Sequence, residues 1–277
     1  MEKFFKRVYE VVQMNLYIDF GGTHFKYCFD DEEVILLKSS EVDLISFLDN
    51  QIRSKKDIQN IAISFAGQVK DGIIISAPNI NMQELHIKEY IEKKYGIDVV
   101  VENDLNSASV YEYSKYKDSN SMVVLYIGTG FGCGIVIGDK VLYGKDNFAG
   151  EIGHIPFRKT KKRCVCGRDD CLELSVSGKA LRGLKLNEID EEMKQTFLDG
   201  LRHAFFTVLN ILNCDSYILG GSVILNNVWL LDFLKEEYKT SSFYHSRGEL
   251  KIYMSDSEYG NLEGLKIIVR NTINGKI

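Results

Sequence analysis

One pattern constrains this chain more than any other: a strand, a glycine turn and a second strand, occurring twice. YIDFGGTHFKYCF at 17–29 and YIGTGFGCGIVI at 126–137 stand 109 residues apart, from Tyr17 to Tyr126. Each joins two β-rich runs through glycines, which is the signature of a hairpin. A single copy would be an ordinary hairpin turn. Two copies so far apart fit no solenoid period and point to two related lobes that open in the same way. The 277 residues suffice for one large domain or two moderate ones. No low-complexity linker divides them, so the halves are expected to share a cleft, with an N-terminal lobe at 14–118 and a C-terminal lobe at 119–277.

The remaining pattern is mixed α/β. Strands are expected at 34–37, 58–65, 72–75, 98–102 and 217–219, and a hairpin at Gly138-Asp139. Helical spacing covers 42–52, 84–95 (stopped by Gly96), 103–113, 188–213 and 223–238, the last placing Trp229 in the core. Cys28, Cys133 and Cys214 are expected to pack as small apolar residues. His24, His86, His203 and His245 show no partner pattern.

Composition excludes several classes. No apolar run approaches the ~18 residues of a membrane span, and the start, MEKFFKRVYEVVQM, is too broken by charge for a signal peptide. With 34 Lys+Arg against 39 Asp+Glu, the net charge of −5 disfavours a nucleic-acid partner. The basic run at 158–163 reads as a solvated loop tip. Six cysteines in a leaderless chain read as reduced thiols or metal ligands. The expectation is a cytoplasmic α/β enzyme.

The glycine turns suit phosphate. Glycine lets backbone N–H groups approach a polyphosphate closely, and a hydroxyl or Lys adds a donor. Neither common device is present: the third glycine position of a Rossmann fingerprint after Gly128 and Gly130 is Cys133, and no GxxxxGK[ST] occurs. The candidates are therefore Asp19, Gly21, Gly22, Thr23 and Lys26 in the first turn, and Gly128, Thr129 and Gly130 in the second. Asp19, at a strand end beside Gly-Gly-Thr, could place Mg²⁺ against bound phosphates.

Two further clusters carry chemistry. VVVENDLNSASVYEY (99–113) sets Glu102, Asn103 and Asp104 at a strand-to-helix junction, where Asn103 or Asp104 could be a helix cap. A carboxylate there is expected to stay ionised. GEIGH, nine residues, then CVCGRDDC brings His154, Cys164, Cys166 and Cys171 into one segment. Three thiolates and an imidazole suit a structural Zn²⁺; free buried thiols are the alternative.

These motifs resemble the ROK family of the sugar kinase/hexokinase/actin superfamily, from Leu16 to the C-terminus. DFGGTHFK and GTGFGCG stand at its two phosphate turns, and Gly220-Gly221 matches its adenosine-side glycine pair. The resemblance implies two RNase H-like lobes around an ATP cleft, with a zinc-binding loop at 154–173 and the last helix free to return to the N-terminal lobe. It implies ATP, Mg²⁺ and Zn²⁺ as cofactors and a homo-oligomer, most often a dimer. Asp104 would be the base facing the 6-hydroxyl of a hexose or N-acetylhexosamine. Gly67, Asn103, Glu151, His154 and Glu173 would contact the sugar, His154 also binding zinc. The zinc motif departs at Asp170, where the family has glycine; if a positive φ is needed there, Asp costs more than Gly but tolerates it better than most residues, and the metal site is expected to survive. The family also contains repressors with an N-terminal helix-turn-helix, for which 18 residues before Asp19 are too few, and sugar sensors without turnover remain an alternative. Residues 1–13 read as either a short added helix or a start-site extension.

Overall fold

The structure, a computed structural model, describes residues 14–55, 57–76, 84–116 and 118–273. The segment 1–13 lies outside the described residues. The first half of the chain runs β1 (Met14–Phe20), β2 (His24–Phe29), β3 (Ile35–Lys38), α1 (Leu44–Ser54), β4 (Ile58–Phe65), β5 (Gln68–Lys70), β6 (Ile73–Ser76), α2 (Ile87–Tyr95), β7 (Asp98–Asn103) and α3 (Asp104–Lys115). The second runs β8 (Ser121–Ile127), β9 (Phe131–Ile137), β10 (Lys140–Val141), α4 (Glu191–Leu212), β11 (Ser216–Gly220), α5 (Ser222–Leu225), α6 (Leu230–Thr240), β12 (Ile252–Met254) and α7 (Gly260–Ile273).

The duplicated glycine turn has a structural counterpart. The two five-stranded sheets have the orders β3-β2-β1-β4-β7 and β10-β9-β8-β11-β12. In each, three antiparallel strands are followed by two parallel ones, and the turns lie between β1 and β2 and between β8 and β9. The β9–β10 hairpin turns at Gly138 (φ +55°) and Asp139 (φ +65°), as a turn with two left-handed central residues requires.

Strand alternation divides the core. Leu16, Ile18 and Phe20 of β1 pack toward Leu44 and Leu48 of α1 and Ile87 and Ile91 of α2. Tyr17, with Ala62 of β4, instead packs on Leu262, Leu265 and Val269 of α7. In the second sheet Val123, Leu125 and Ile127 meet Phe197, Leu201 and Phe205 of α4, while Met122 and Val124 face Tyr113 of α3 and Tyr116. Helices α3 and α7 thus occupy the space between the sheets. They cross at Gly264, where an added Cβ would lie 1.8 Å from the Ser107 carbonyl oxygen. Among the described residues no helix is long and apolar enough to cross a membrane.

Three expectations are corrected. The helix expected over 223–238 breaks between Leu225 and Leu230; buried Asn227 turns inward and donates to the Val223 carbonyl at 2.8 Å. Trp229 consequently sits at the start of α6, 40% exposed rather than in the core, with the Lys194 ammonium 5.9 Å from its ring. Helix α2 starts at Ile87, because Leu85 bridges Ile74 of β6. Cys28, Cys133 and Cys214 are buried as anticipated.

The α3–α7 crossing is a close joint between the sheets. Gly264→Ala should destabilise the fold by about 1–3 kcal/mol, the usual cost of overpacking, as read from the urea unfolding midpoint.

Candidate functional site

Helix α3 begins where β7 ends, so the residues of this junction point into the space between the lobes. Asn103 is the cap: its side-chain oxygen accepts from the N–H groups of Leu105 (2.9 Å) and Asn106 (3.2 Å). Its amide donates to the Gly67 carbonyl at 3.0 Å, which brings Gly67 beside it. Capping by Asn103 leaves Asp104, the first helical residue, with the Leu105 N–H at 2.9 Å as its hydrogen-bond donor. Burial, reinforced by the charge of Asp19 and then of Glu151, pushes the Asp104 carboxyl from 3.8 up to about 7. This corrects the expectation of a firmly ionised group: desolvation outweighs the helix N-terminus and the Leu105 N–H, which pull the other way. Glu102 is also pushed up by burial, against hydrogen bonds from Asn106, Tyr143 and the Asn103 N–H.

Asp19 closes β1 opposite Lys26 of β2, with carboxylate and ammonium 3.4 Å apart. It is buried at 4% exposure and also accepts from Ser64 of β4 and Asn261 of α7, each at 3.1 Å. The turn itself is open: Thr23 is exposed and Gly21 and Gly22 are half-buried. Ser39 fastens it by donating to the Gly21 carbonyl at 2.7 Å.

The second turn is enclosed by later segments. Gly178 donates to the Gly128 carbonyl at 2.7 Å and Lys179 to that of Thr129 at 3.2 Å. Gly130 faces Glu173, whose carboxylate would lie 2.6 Å from an added Cβ and which accepts the Phe131 N–H at 3.0 Å. Gly220 ends β11 nearby and Gly221 follows it. Gly221 has φ +86°, and a Cβ there would meet the Ile127 carbonyl at 2.5 Å; on Gly220 it would strike the Tyr126 ring. Only glycine fits either position. Ser222, next in sequence, lies 4.0 Å from the Cβ position of Gly128, so the glycine pair and the second turn form one surface.

The third group lies after Gly150. The ligand atoms of His154, Cys164, Cys166 and Cys171 are all within 4.8 Å of one another. His154 Nδ1 is 3.3 Å from Cys164 Sγ, and the sulfurs of Cys166 and Cys171 are 3.3 Å apart. A tetrahedral shell with Zn–S bonds of about 2.3 Å needs donors roughly 3.8 Å apart, so this cluster can close on zinc with small movements. Hydrogen bonding from the Arg168 N–H pulls the Cys166 thiol below its ordinary range, whereas burial pushes those of Cys164 and Cys171 up. The glycine-to-Asp departure at 170 brings no positive φ. Asp170 instead holds Arg168 at 2.7 Å, and Arg168 donates to the His154 carbonyl at 3.1 Å. With Nδ1 on the cysteines, His154 turns Nε2 toward Glu151, 3.7 Å away. Burial pushes the Glu151 carboxyl up, His154 opposes this, and Glu173 adds to it.

Asp19, Asp104, Glu151 and Glu173 therefore gather around one space: the charges of Asp19 and Glu151 act on Asp104, and that of Glu173 acts on Glu151. The basic run at 158–163 lies outside it as an exposed loop, apart from half-buried Thr160. Sequence reasoning missed Asn261 and Ser64 at Asp19, and a bridge across the lobes in which Lys70 meets Asp146 at 2.9 Å and Asn147 donates to the Val69 carbonyl at 2.7 Å. Only the left-handed φ of Asn147 (+59°), a conformation asparagine tolerates, left any local trace.

Known proteins are similar to this chain. The glucokinase of Streptomyces coelicolor is 33% identical over 178 residues, which cover 59% of this chain and 56% of that protein. The xylose repressor of Bacillus subtilis is 28% identical over 224 residues, 73% of this chain and 58% of the repressor. The chain thus spans little more than half the length of these curated relatives. A solved ROK family glucokinase from Streptomyces griseus, in complex with glucose and AMPPNP, superposes with a TM-score of 0.73 at 22% identity, over 93% of this chain and 99% of that one. The mixed α/β architecture is accordingly the fold of that solved ROK family protein. The ROK family model matches residues 16–265, and the chain belongs to that family.

Proposed function

We propose that the protein is an ATP-dependent sugar kinase that phosphorylates a hexose or N-acetylhexosamine at its 6-hydroxyl. The observation that carries this reading is Asp104, a half-buried carboxyl held at a helix start beside Asp19 and Glu151, its pKa raised to about 7 chiefly by desolvation. A group titrating there is well matched to accept a hydroxyl proton near neutral pH. The fold shared with a glucokinase solved with glucose and AMPPNP supports the same substrates here.

MgATP, when bound, supplies the γ-phosphoryl group and the positive charge that offsets it in the transition state. The residues of the chain position everything else. The backbone of Gly21, Gly22 and Thr23, with Lys26, and that of Gly128, Thr129 and Gly130 would hold the phosphates. Gly220 and Gly221 leave room for the nucleoside, and Asp19 would hold Mg²⁺ through one carboxylate, with waters and phosphate oxygens completing its shell. Glu151, His154 and Glu173 would fix the sugar hydroxyls with Asn103, next to Gly67, because carboxylates accept strong hydrogen bonds from polyols. Asp104, ionised, then accepts the proton of the attacking hydroxyl. Zinc on His154, Cys164, Cys166 and Cys171 would fix the His154 ring and so the sugar pocket, away from the phosphoryl group.

The match to a xylose repressor favours a second reading, a regulatory protein that binds sugar without turnover. A coupled ADP-release assay across hexoses and N-acetylhexosamines separates the two: the kinase reading expects turnover with at least one sugar, and sugar binding without ADP release would establish the sensor.

Asp104→Asn should lower kcat by at least about a thousandfold while sparing ATP binding, since base and positioning are lost together. The variant should also melt higher at pH 8: the folded carboxyl titrates near 7 and the unfolded one near 3.8, so this group lowers stability as pH rises through that interval and keeps its full cost above it. In the wild type, kcat/KM should show an acidic limb with a midpoint near 7 that moves to lower pH as free Mg²⁺ offsets Asp19; a midpoint near 4 would remove the assignment. Metal analysis should find one zinc per chain. Cys164→Ala should lose it and raise the KM for sugar about 10–100-fold, leaving the KM for ATP unchanged.

A further inference from the structure

We infer that Asn261 is a positioning residue for the Asp19 carboxylate, and through it for the divalent cation that accompanies the nucleotide; the inference rests on the kinase reading. The two oxygens of Asp19 are treated differently. Oδ1 accepts hydrogen bonds from Ser64 Oγ on β4 and from Asn261 Nδ2 on α7, both at 3.1 Å. Oδ2 faces Lys26 Nζ at 3.4 Å, its one hydrogen-bond partner among the described residues. Two fixed donors on one oxygen lock the carboxylate plane and leave Oδ2 to serve the cation. Without them the ammonium of Lys26 can draw the whole carboxylate toward itself.

Asn261 suits the task because its amide donates without carrying charge, so it orients Asp19 without competing with a cation for it. Its own position is fixed from three sides. Its carbonyl accepts from Ser107 Oγ of α3 at 3.0 Å. The next residue, Leu262, is buried with Leu265 against Tyr17 and Ala62. Gly264 lets α7 lie directly on the Ser107 backbone. Ser107 is one helical turn from Asp104 on the same helix, so the element that carries the base also anchors the residue that aims the cation's carboxylate. The turn around Asp19 and the base at Asp104 are thereby held in register by a contact between residues 242 positions apart.

The test is Mn²⁺ binding to the ADP-loaded protein, followed by electron paramagnetic resonance, for the wild type and Asn261→Ala, with sugar affinity and melting temperature measured on the same preparations. The expected result is Mn²⁺ affinity about tenfold weaker, the lower end for loss of a residue that orients a metal ligand, with sugar affinity and melting temperature unchanged. Asn261→Leu, which keeps the volume and removes the donor, should reproduce the loss if the alanine variant folds poorly. Unchanged Mn²⁺ affinity, or a loss that falls together with sugar affinity and melting temperature in both variants, overturns the assignment. Because Mn²⁺–ADP binding is read without turnover, a wild type that binds Mn²⁺–ADP but phosphorylates no sugar defeats the kinase reading and leaves this test decisive. A wild type that turns over, with Mn²⁺ affinity unmoved in the variants, defeats Asn261 alone.

Discussion

Unbalanced negative charge in the space between the lobes is the constraint on which the rest of this molecule turns. Burial raises the free energy of the ionised Asp104 and Glu151 carboxyls, and the charges of Asp19 and then Glu151 add to the rise at Asp104. Lys26 offsets Asp19 at 3.4 Å, and His154 opposes the rise at Glu151. Among the described residues no cation is paired with Asp104 in the same way. A folded protein keeps such a concentration of carboxylates when a ligand relieves it: a divalent cation at one end and the hydroxyl groups of a polyol at the other. The geometry separates those two duties, with glycine turns at the end near Asp19 and an imidazole held by three cysteines at the end near Glu151.

The scaffold follows from the need to bring those groups together from distant parts of the chain. Each sheet contributes its turn and is covered on its outer face by its own helices. The inner faces are covered by α7 and α3, which touch each other. Their crossing at Gly264 and Ser107 joins the lobes through two packed helices, while the Lys70–Asp146 and Asn147–Val69 contacts join them again nearer the surface. The carboxylates are thus supported from opposite sides of the cleft. Relative movement of the lobes would change the spacing of Asp19, Asp104 and Glu151 together, and with it the titration of Asp104.

The parts of this arrangement legible in the sequence are those written locally. Strand, glycine turn and strand lie within a dozen residues, so the repeat at 17–29 and 126–137 could be seen and the two sheets anticipated. The His154–Cys171 cluster was visible because its ligands fall in one segment. Asn103 and Asp104 were legible as a junction, but their division of labour was not: that Asn103 supplies the cap and frees Asp104 depends on side-chain rotamers. The raised pKa of Asp104 was misjudged because helix position is a sequence property and desolvation is not. Asn261 left no signal at all, since its partner is 242 residues away and its local sequence reads as an ordinary helix start. Trp229 failed for a related reason, the helix break at 226–229 being set by the inward turn of Asn227.

The central claim is electrostatic, and the titration of Asp104 tests it most directly. With the carboxyl carbon labelled, ¹³C NMR of the unliganded protein should give a midpoint of about 7 that falls when Mg²⁺–ADP is added, as positive charge arrives beside Asp19. A midpoint near the ordinary 3.8, unmoved by Mg²⁺–ADP, would contradict the account.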